Sequence, residues 1–414
     1  MARTFHVIGA GLAGLAAAIR LSEAGEAVVV HEAAGQAGGR CRSYHDPALD
    51  MEIDNGNHLL LSGNHAALGY LRTIGAADRL VGPAHADFPF ADLASGERWT
   101  LRISDGRLPW WVFDSVRRVP GTRARDYLGY ARLLWPPRDA AVGDVVACSG
   151  PLYDRLLGPL LLAALNTAPP ESSAALAGAV LRETIGAGGR ACRPLIARDG
   201  LGAAFIAPAL DYLGARGVTV GFGRRLRSLE LTGHKVVALG FDESARLQPD
   251  DRVILAVPPV VAAALVPDLT APSQFRAIVN AHFRVAPPPG TAPICGVVNG
   301  TVEWIFAFPD RLSVTISGAD RLVDTPRDAL ARTIWREVAT VTQIGDTETL
   351  PPWQIVRERR ATFAALPAEE RKRPGARTAW SNLWLAGDWT ATGLPATIEG
   401  AIRSGERAAA LAAQ

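Results

Sequence analysis

Cysteine is scarce in this 414-residue chain: Cys41, Cys148, Cys192 and Cys295 stand far apart and form no CxxC pair. That excludes a zinc ribbon and a disulfide framework, offers no metal site, and fits a reducing compartment such as the cytoplasm. Charge of one sign is lacking as well, with 43 Lys+Arg against 41 Asp+Glu and a net charge of +2. A chain built to neutralise many phosphates carries a basic excess, so nucleic acid is not an expected partner. No stretch reaches the roughly 18 uninterrupted apolar residues of a membrane span. Residues 7–19 are apolar but broken by Gly9, Gly11 and Gly14, and no small-residue cleavage site follows, so they do not read as a signal peptide. With 48% hydrophobic and 20% charged residues, the chain can bury a large core, and its length suits two domains.

The patterning comes in two styles. The opening reads as a strand at 5–8, a helix at 12–24 and a strand at 27–30, with Gly25 where a helix stop belongs. Residues 54–80 read as a loop running into a helix, and 85–195 show no strand–helix alternation. Regular patterning returns near 199 with a helix to 213, a strand at 217–220, alternating strands at 226–231 and 235–241, and a buried strand at 251–257. A second irregular region, 266–354, holds strand candidates at 296–298, 302–308 and 312–316 and a helix at 327–342. The chain closes with a short strand at 383–388 and a helix at 397–412. This predicts an α/β protein in which a Rossmann-like cofactor domain (1–84, 196–265 and 355–414) is interleaved with a mixed α+β substrate domain (85–195 and 266–354). Two segments bear on membranes. Residues 156–165 are apolar, and Leu108-Pro109-Trp110-Trp111-Val112-Phe113 precedes Arg117 and Arg118. A core helix and a packed loop are the first readings; peripheral contact with a membrane surface is the other.

Gly9-Ala10-Gly11-Leu12-Ala13-Gly14 matches GxGxxG between a strand and a helix, the setting that gives the motif meaning. Gly9 permits the tight turn, Gly11 lets backbone approach a pyrophosphate, and Gly14 allows close helix–strand packing. The free N–H groups at the helix start then face the phosphates. Glu32 stands 21 residues after Gly11, where an acid bonds ribose hydroxyls. A second cluster, Gly35-Gln36-Ala37-Gly38-Gly39-Arg40, suits a longer cofactor that needs more backbone contacts and a cation. Gly387-Asp388 ends a strand near the flavin ribityl–phosphate, and Pro395-Ala396-Thr397-Ile398-Glu399-Gly400 opens a helix that can face the flavin, where negative charge collects on reduction. FAD is the expected cofactor.

These residues resemble the flavin amine oxidase and carotenoid desaturase superfamily, and the whole chain resembles its squalene-associated FAD branch. The resemblance is carried by Asp54-Asn55-Gly56-Asn57-His58-Leu59-Leu60-Leu61, Ala163-Ala164-Leu165-Asn166-Thr167, Asn280-Ala281-His282-Phe283, Val314 to Ala319, Arg359 to Phe363, and Ala386 to Gly405. The branch usually has Gln where this chain has Asn57. The resemblance implies a cofactor set that adds Gly56, Asn57, Leu226 and Ile398 to Gly9, Gly11, Gly14, Glu32, Gly39, Arg40, Gly387 and Asp388. It further implies a linear C30 isoprenoid substrate, reductive dehydroxylation of hydroxysqualene to squalene, and a separate, unidentified donor that reduces the flavin.

Replacing an allylic hydroxyl by hydrogen needs a proton for the departing oxygen, a hydride and a dry apolar slot. His58 has an ordinary pKa suited to proton donation near neutrality, and Asp54 is the second candidate. His282 and Glu303 are weaker ones. Two other functions share the scaffold: an oxidative amine oxidase or isoprenoid desaturase, and a prenyl-binding protein without flavin.

Overall fold

The computed structural model describes residues 3–414. Strand Thr4–Ile8, helix Leu12–Glu23 and strand Ala27–His31 form the opening unit. Phe5, Val7, Leu15 and Ala17 are fully buried, as residues of a parallel strand and its covering helix must be. Strands Thr219–Gly221, Arg252–Leu255 and Leu383–Leu385 join the first two in a sheet whose every pair is parallel. Counting only its own five strands, the order is 3-2-1-4-5. This doubly wound order puts ligands at the carboxyl ends of the strands. The last helix, Ile398–Ala413, packs against the first so closely that a Cβ on Gly405 would fall 2.0 Å from the Ala13 carbonyl oxygen.

A seven-stranded sheet runs in the order Trp353–Phe363, Phe275–Phe283, Leu312–Ile316, Trp304–Ala307, Ile294–Val298, Asp87–Asp92, Arg98–Arg102. All its pairs are antiparallel except that of Ile294–Val298 with Asp87–Asp92. The expected domain boundary at 355 therefore falls inside a strand of this sheet. One face carries Val279, Ala281, Val314 and Ile305 and is covered by Leu330, Ile334, Trp335 and Val338 of helix Arg327–Thr342. The opposite face grades along the sheet. The registers place Asn280 and His282 beside Thr315 and Ser313, then Trp304 and Phe306, then Phe90 and Trp99.

Residues 85–195 lacked a readable period because strands Asp87–Asp92 and Arg98–Arg102 are followed by short helices and turns of unequal winding, the longest helix being Ala174–Glu183. The apolar run 156–165 is the end of a π-helical turn, Tyr153–Leu157, continuing into helix Gly158–Leu165. Leu156, Leu161 and Leu165 are buried, so this run is core. The run at 108–113 is a single turn, Trp110–Phe113, that buries Trp111 and Val112 and leaves Trp110 and Phe113 in solvent. Among the described residues no helix is long and apolar enough to cross a membrane.

Candidate active site

The two glycine clusters lie against each other. Gly9 has φ +106°, and a Cβ there would meet the Ala256 carbonyl oxygen at 2.4 Å. A Cβ on Gly14 would fall 1.9 Å from the Gly9 oxygen, so both glycines are required by the fold itself. Gly11 differs: a Cβ there meets nothing within 4 Å. Gly38 N–H donates to the Ala10 carbonyl at 2.8 Å, which sets Gly39 beside Gly11. The first helix starts at Gly11 with no side-chain cap, leaving its first N–H groups free for an anion. The Glu32 carboxylate accepts from the Ala10 and Ala34 N–H groups, each at 2.7 Å, and so fixes the turn from both sides. Residues 221–226 run alongside, with Arg224 N–H on the Glu32 carbonyl at 2.8 Å and Leu226 buried.

Arg40 reaches from the second cluster to the C-terminal block. It donates to Asp388 Oδ1 at 2.6 Å and to the Ala361 carbonyl at 2.7 Å. Asp388 strengthens its positive charge, yet the Arg40 side chain stays 45% exposed while Asp388 is buried, so Arg40 lines a cleft. Because Arg40 occupies the Asp388 carboxylate, the backbone of that turn is the part left for a ligand. Arg373, which nothing in the sequence pattern singled out, fixes the turn by donating to the Asp388 and Thr390 carbonyls, each at 3.0 Å. Gly387 N–H donates to Ser404 Oγ at 3.0 Å. Thr397 caps the last helix, accepting from Gly400 N–H at 3.0 Å, with Ile398 buried next to it. Glu399 turns away and accepts from Ala66 and Ala67 N–H at 3.0 and 2.8 Å, capping helix His65–Thr73.

The loop after strand Met51–Asp54 joins this cleft to the seven-stranded sheet. Asp54 Oδ1 accepts from Leu201 N–H at 2.8 Å and Ser43 Oγ at 2.5 Å, and burial pushes its pKa up. These bonds tie Asp54 to the backbone. A Cβ on Gly56 would meet Asn280 Nδ2 at 3.2 Å. Asn57 donates from Nδ2 to the Val314 carbonyl at 3.2 Å, while its buried Oδ1 has no partner among the described residues. Asn280 Oδ1 accepts from Thr315 at 2.8 Å, completing the polar end of the sheet face.

The proton-bearing groups do not follow their ordinary values. Burial, with the Arg40 charge, lowers His58 to about 4, so it is neutral at pH 7 rather than poised there. His282 is fully buried, bonds Ser313 Oγ at 2.9 Å and is lowered to about 3 by burial. Glu303 moves the other way, raised by burial to about 7, although it accepts from Ser317 N–H at 2.7 Å. The adjacent Gly318 N–H donates to Asn166 Oδ1 at 2.7 Å, and Asn166 donates to Thr362 Oγ1 at 2.9 Å, one residue from the Ala361 anchor of Arg40.

An extended flavin dinucleotide fits these residues. Space stands open in front of Gly11, the helix N–H groups are uncapped, Arg40 lines the cleft beyond, and Asn57 Oδ1 is a buried acceptor awaiting a donor.

Residues 12–413 match the family model of flavin-containing amine oxidoreductases. A hydroxysqualene dehydroxylase of Rhodopseudomonas palustris is 61% identical over 99% of this chain and 98% of its own length. Another, of Sinorhizobium fredii, is 56% identical over 100% and 99%. The solved structure of cyclohexylamine oxidase from Brevibacterium oxydans covers 100% of this chain and 99% of its own with a TM-score of 0.68 at 15% identity, which speaks to fold alone.

Proposed function

The chain belongs to the flavin-containing amine oxidoreductases and is an FAD-dependent oxidoreductase, and from that premise we propose that it converts hydroxysqualene to squalene. The C–O bond breaks, a C–H bond forms, water leaves, and two electrons come from the flavin. The observation that carries this reading is full-length identity of 61% and 56% to two hydroxysqualene dehydroxylases, together with a sheet face that runs from Asn280 and Thr315 to Trp304, Phe90 and Trp99. A long hydrocarbon with one polar group suits that gradient.

When bound and reduced, FAD would supply the hydride. Gly9, Gly11, Gly14 and Glu32 would hold its adenosine and pyrophosphate end, with Leu226 on the same side. Gly39, Arg40, Gly387 and Asp388 would hold its middle, and Gly56, Asn57 and Ile398 would lie toward its flavin end. Asp54 is a positioning residue, because both its strong bonds hold the loop. His58, neutral at pH 7, donates a hydrogen bond from its ring N–H to the departing hydroxyl. We assign proton donation to Glu303, whose carboxyl is raised by burial to about 7 and accepts from the N–H of Ser317, the residue before the Gly318–Asn166 contact. The aromatic half of the sheet keeps water away from the reacting carbon. The cofactor part is built from the blocks 1–84, 196–265 and about 364–414, and the remainder holds the substrate. Because that substrate is a membrane-soluble hydrocarbon, contact with a membrane surface belongs to this reading.

The test is product identity. Purified protein given hydroxysqualene and a chemical reductant of flavin should yield squalene by mass spectrometry. Unchanged hydroxysqualene in the presence of fully reduced protein-bound flavin would refute the assignment.

A further inference from the structure

Six of the nine large apolar side chains exposed among the described residues fall between 108 and 135: Leu108, Trp110, Phe113, Val116, Leu128 and Trp135, each 63–78% accessible. Contacts beneath join the pieces of chain that carry them. Trp111 packs edge-on against Tyr127 at 5.2 Å, which joins the Trp110–Phe113 turn to helix Ala124–Tyr130. Tyr127 OH accepts from Val119 N–H at 3.1 Å, tying in the intervening loop. Above that contact the Trp110 and Phe113 rings stand 6.2 Å apart in solvent.

The same segment concentrates positive charge. Residues 105–139 contain seven arginines against four aspartates, with no lysine or glutamate, although the entire chain carries only +2. Arg107, Arg123, Arg125 and Arg132 are exposed in the same segment, and Arg132 lies beside Trp135. A hollow of about 350 Å³ opens on this face beside Ala131, Trp135 and Val145. Exposed tryptophan and phenylalanine in an arginine-rich stretch is the composition of a segment that sits at a lipid headgroup boundary. Underneath, Arg102 N–H donates to the Arg117 carbonyl at 3.0 Å, so the patch backs onto strand Arg98–Arg102 and the aromatic end of the large sheet.

We propose that this face docks the protein on a membrane surface bearing anionic lipids. The charge decides among occupants: a second copy would bring like charge against like, whereas phosphatidylglycerol-type headgroups complement the arginines. The inference deepens the functional reading by stating where the hydrocarbon would enter, but vesicle binding is measured without substrate, so either can fail alone.

The FAD-loaded protein is sedimented with vesicles of phosphatidylcholine alone or with about one part in three phosphatidylglycerol. Binding to the anionic vesicles should be at least about tenfold tighter and should weaken as salt rises. Trp110→Ser with Phe113→Ser should lose about tenfold or more on both lipids, and Arg107→Gln with Arg125→Gln about tenfold on the anionic one alone. Unchanged thermal midpoints and flavin content show that the variants fold. Wild-type protein that stays in the supernatant with anionic vesicles would overturn the proposal, as would an aromatic double variant that binds as wild type. A dimer that these variants dissociate, without vesicle binding, would assign the face to a second copy and overturn it too.

Discussion

Replacing His58 by alanine and Glu303 by glutamine, one at a time, locates the proton that the departing hydroxyl takes. His58 is lowered to about 4, so at pH 7 only about one ring in a thousand is charged, and charging it costs about 4 kcal/mol. An imidazolium donor would give a rate falling about tenfold per pH unit from pH 4 upward. A neutral ring can still hold the oxygen by a hydrogen bond, worth about 1.5–3 kcal/mol once the oxygen gathers charge, or about 10- to 150-fold in rate. His58→Ala should therefore slow turnover by that factor and leave the shape of the pH profile alone. Glu303 is raised to about 7 and is the acid below that value, so the rate should decline as pH rises through about 7. Glu303→Gln should lose about 10²–10⁴-fold and that declining limb with it. The assay is squalene formed per bound flavin from pH 5.5 to 8.5, so that loss of cofactor is not read as loss of chemistry. Glu303→Gln with the limb intact and a rate within about threefold of wild type would refute the donor assignment. A limb that disappears in His58→Ala would return the proton to His58.

Gly11→Ala should fold with a normal thermal midpoint and lose FAD, because the added methyl meets only the space the cofactor needs, whereas Gly14→Ala should fail to fold around a contact of 1.9 Å; a yellow Gly11→Ala protein would contradict the cradle. Glu32→Ala should weaken FAD retention by about 10- to 100-fold through loss of charge-assisted bonds, with near-normal turnover per flavin that remains, measured by flavin release on dilution. His31 and His282, lowered to about 4 and about 3, are buried neutral, so the unfolded chain takes up their protons first below about pH 6.5. Stability is complete above that pH and declines as pH falls, by about 2 kcal/mol for each at pH 5; a thermal midpoint that stays level from pH 7 to 5 would count against it.

The cofactor cradle was legible because glycine chemistry is local. The turn at Gly9, the packing at Gly14 and the acid at Glu32 each follow from a few neighbouring residues. The large sheet was legible only as separate strands, since its order depends on contacts between residues 87–102, 275–316 and 353–363. The same holds for the site. His58 looked poised near neutrality because its sequence neighbours say nothing of the burial, and then of the Arg40 charge, that tertiary packing imposes on it. Arg373 sits in a polar run without periodicity, and its role exists only once the 388–392 turn folds over it. Glu399 looked like part of a flavin-facing helix start and instead caps helix His65–Thr73, a partner 332 residues away. Trp110 and Phe113 had no period to place them in core or surface, because a single turn buries only its two middle residues, Trp111 and Val112.

In the proposed reaction electrons pass from flavin to the carbon that bore the hydroxyl. This is tested most directly by a single anaerobic turnover. The bound flavin is reduced stoichiometrically, hydroxysqualene is added, and flavin reoxidation is followed by absorbance while squalene is counted in the quenched mixture. One squalene should form for each flavin reoxidised, at matching rates. Reduced flavin that persists while squalene appears, or reoxidation without squalene, would contradict this electron transfer.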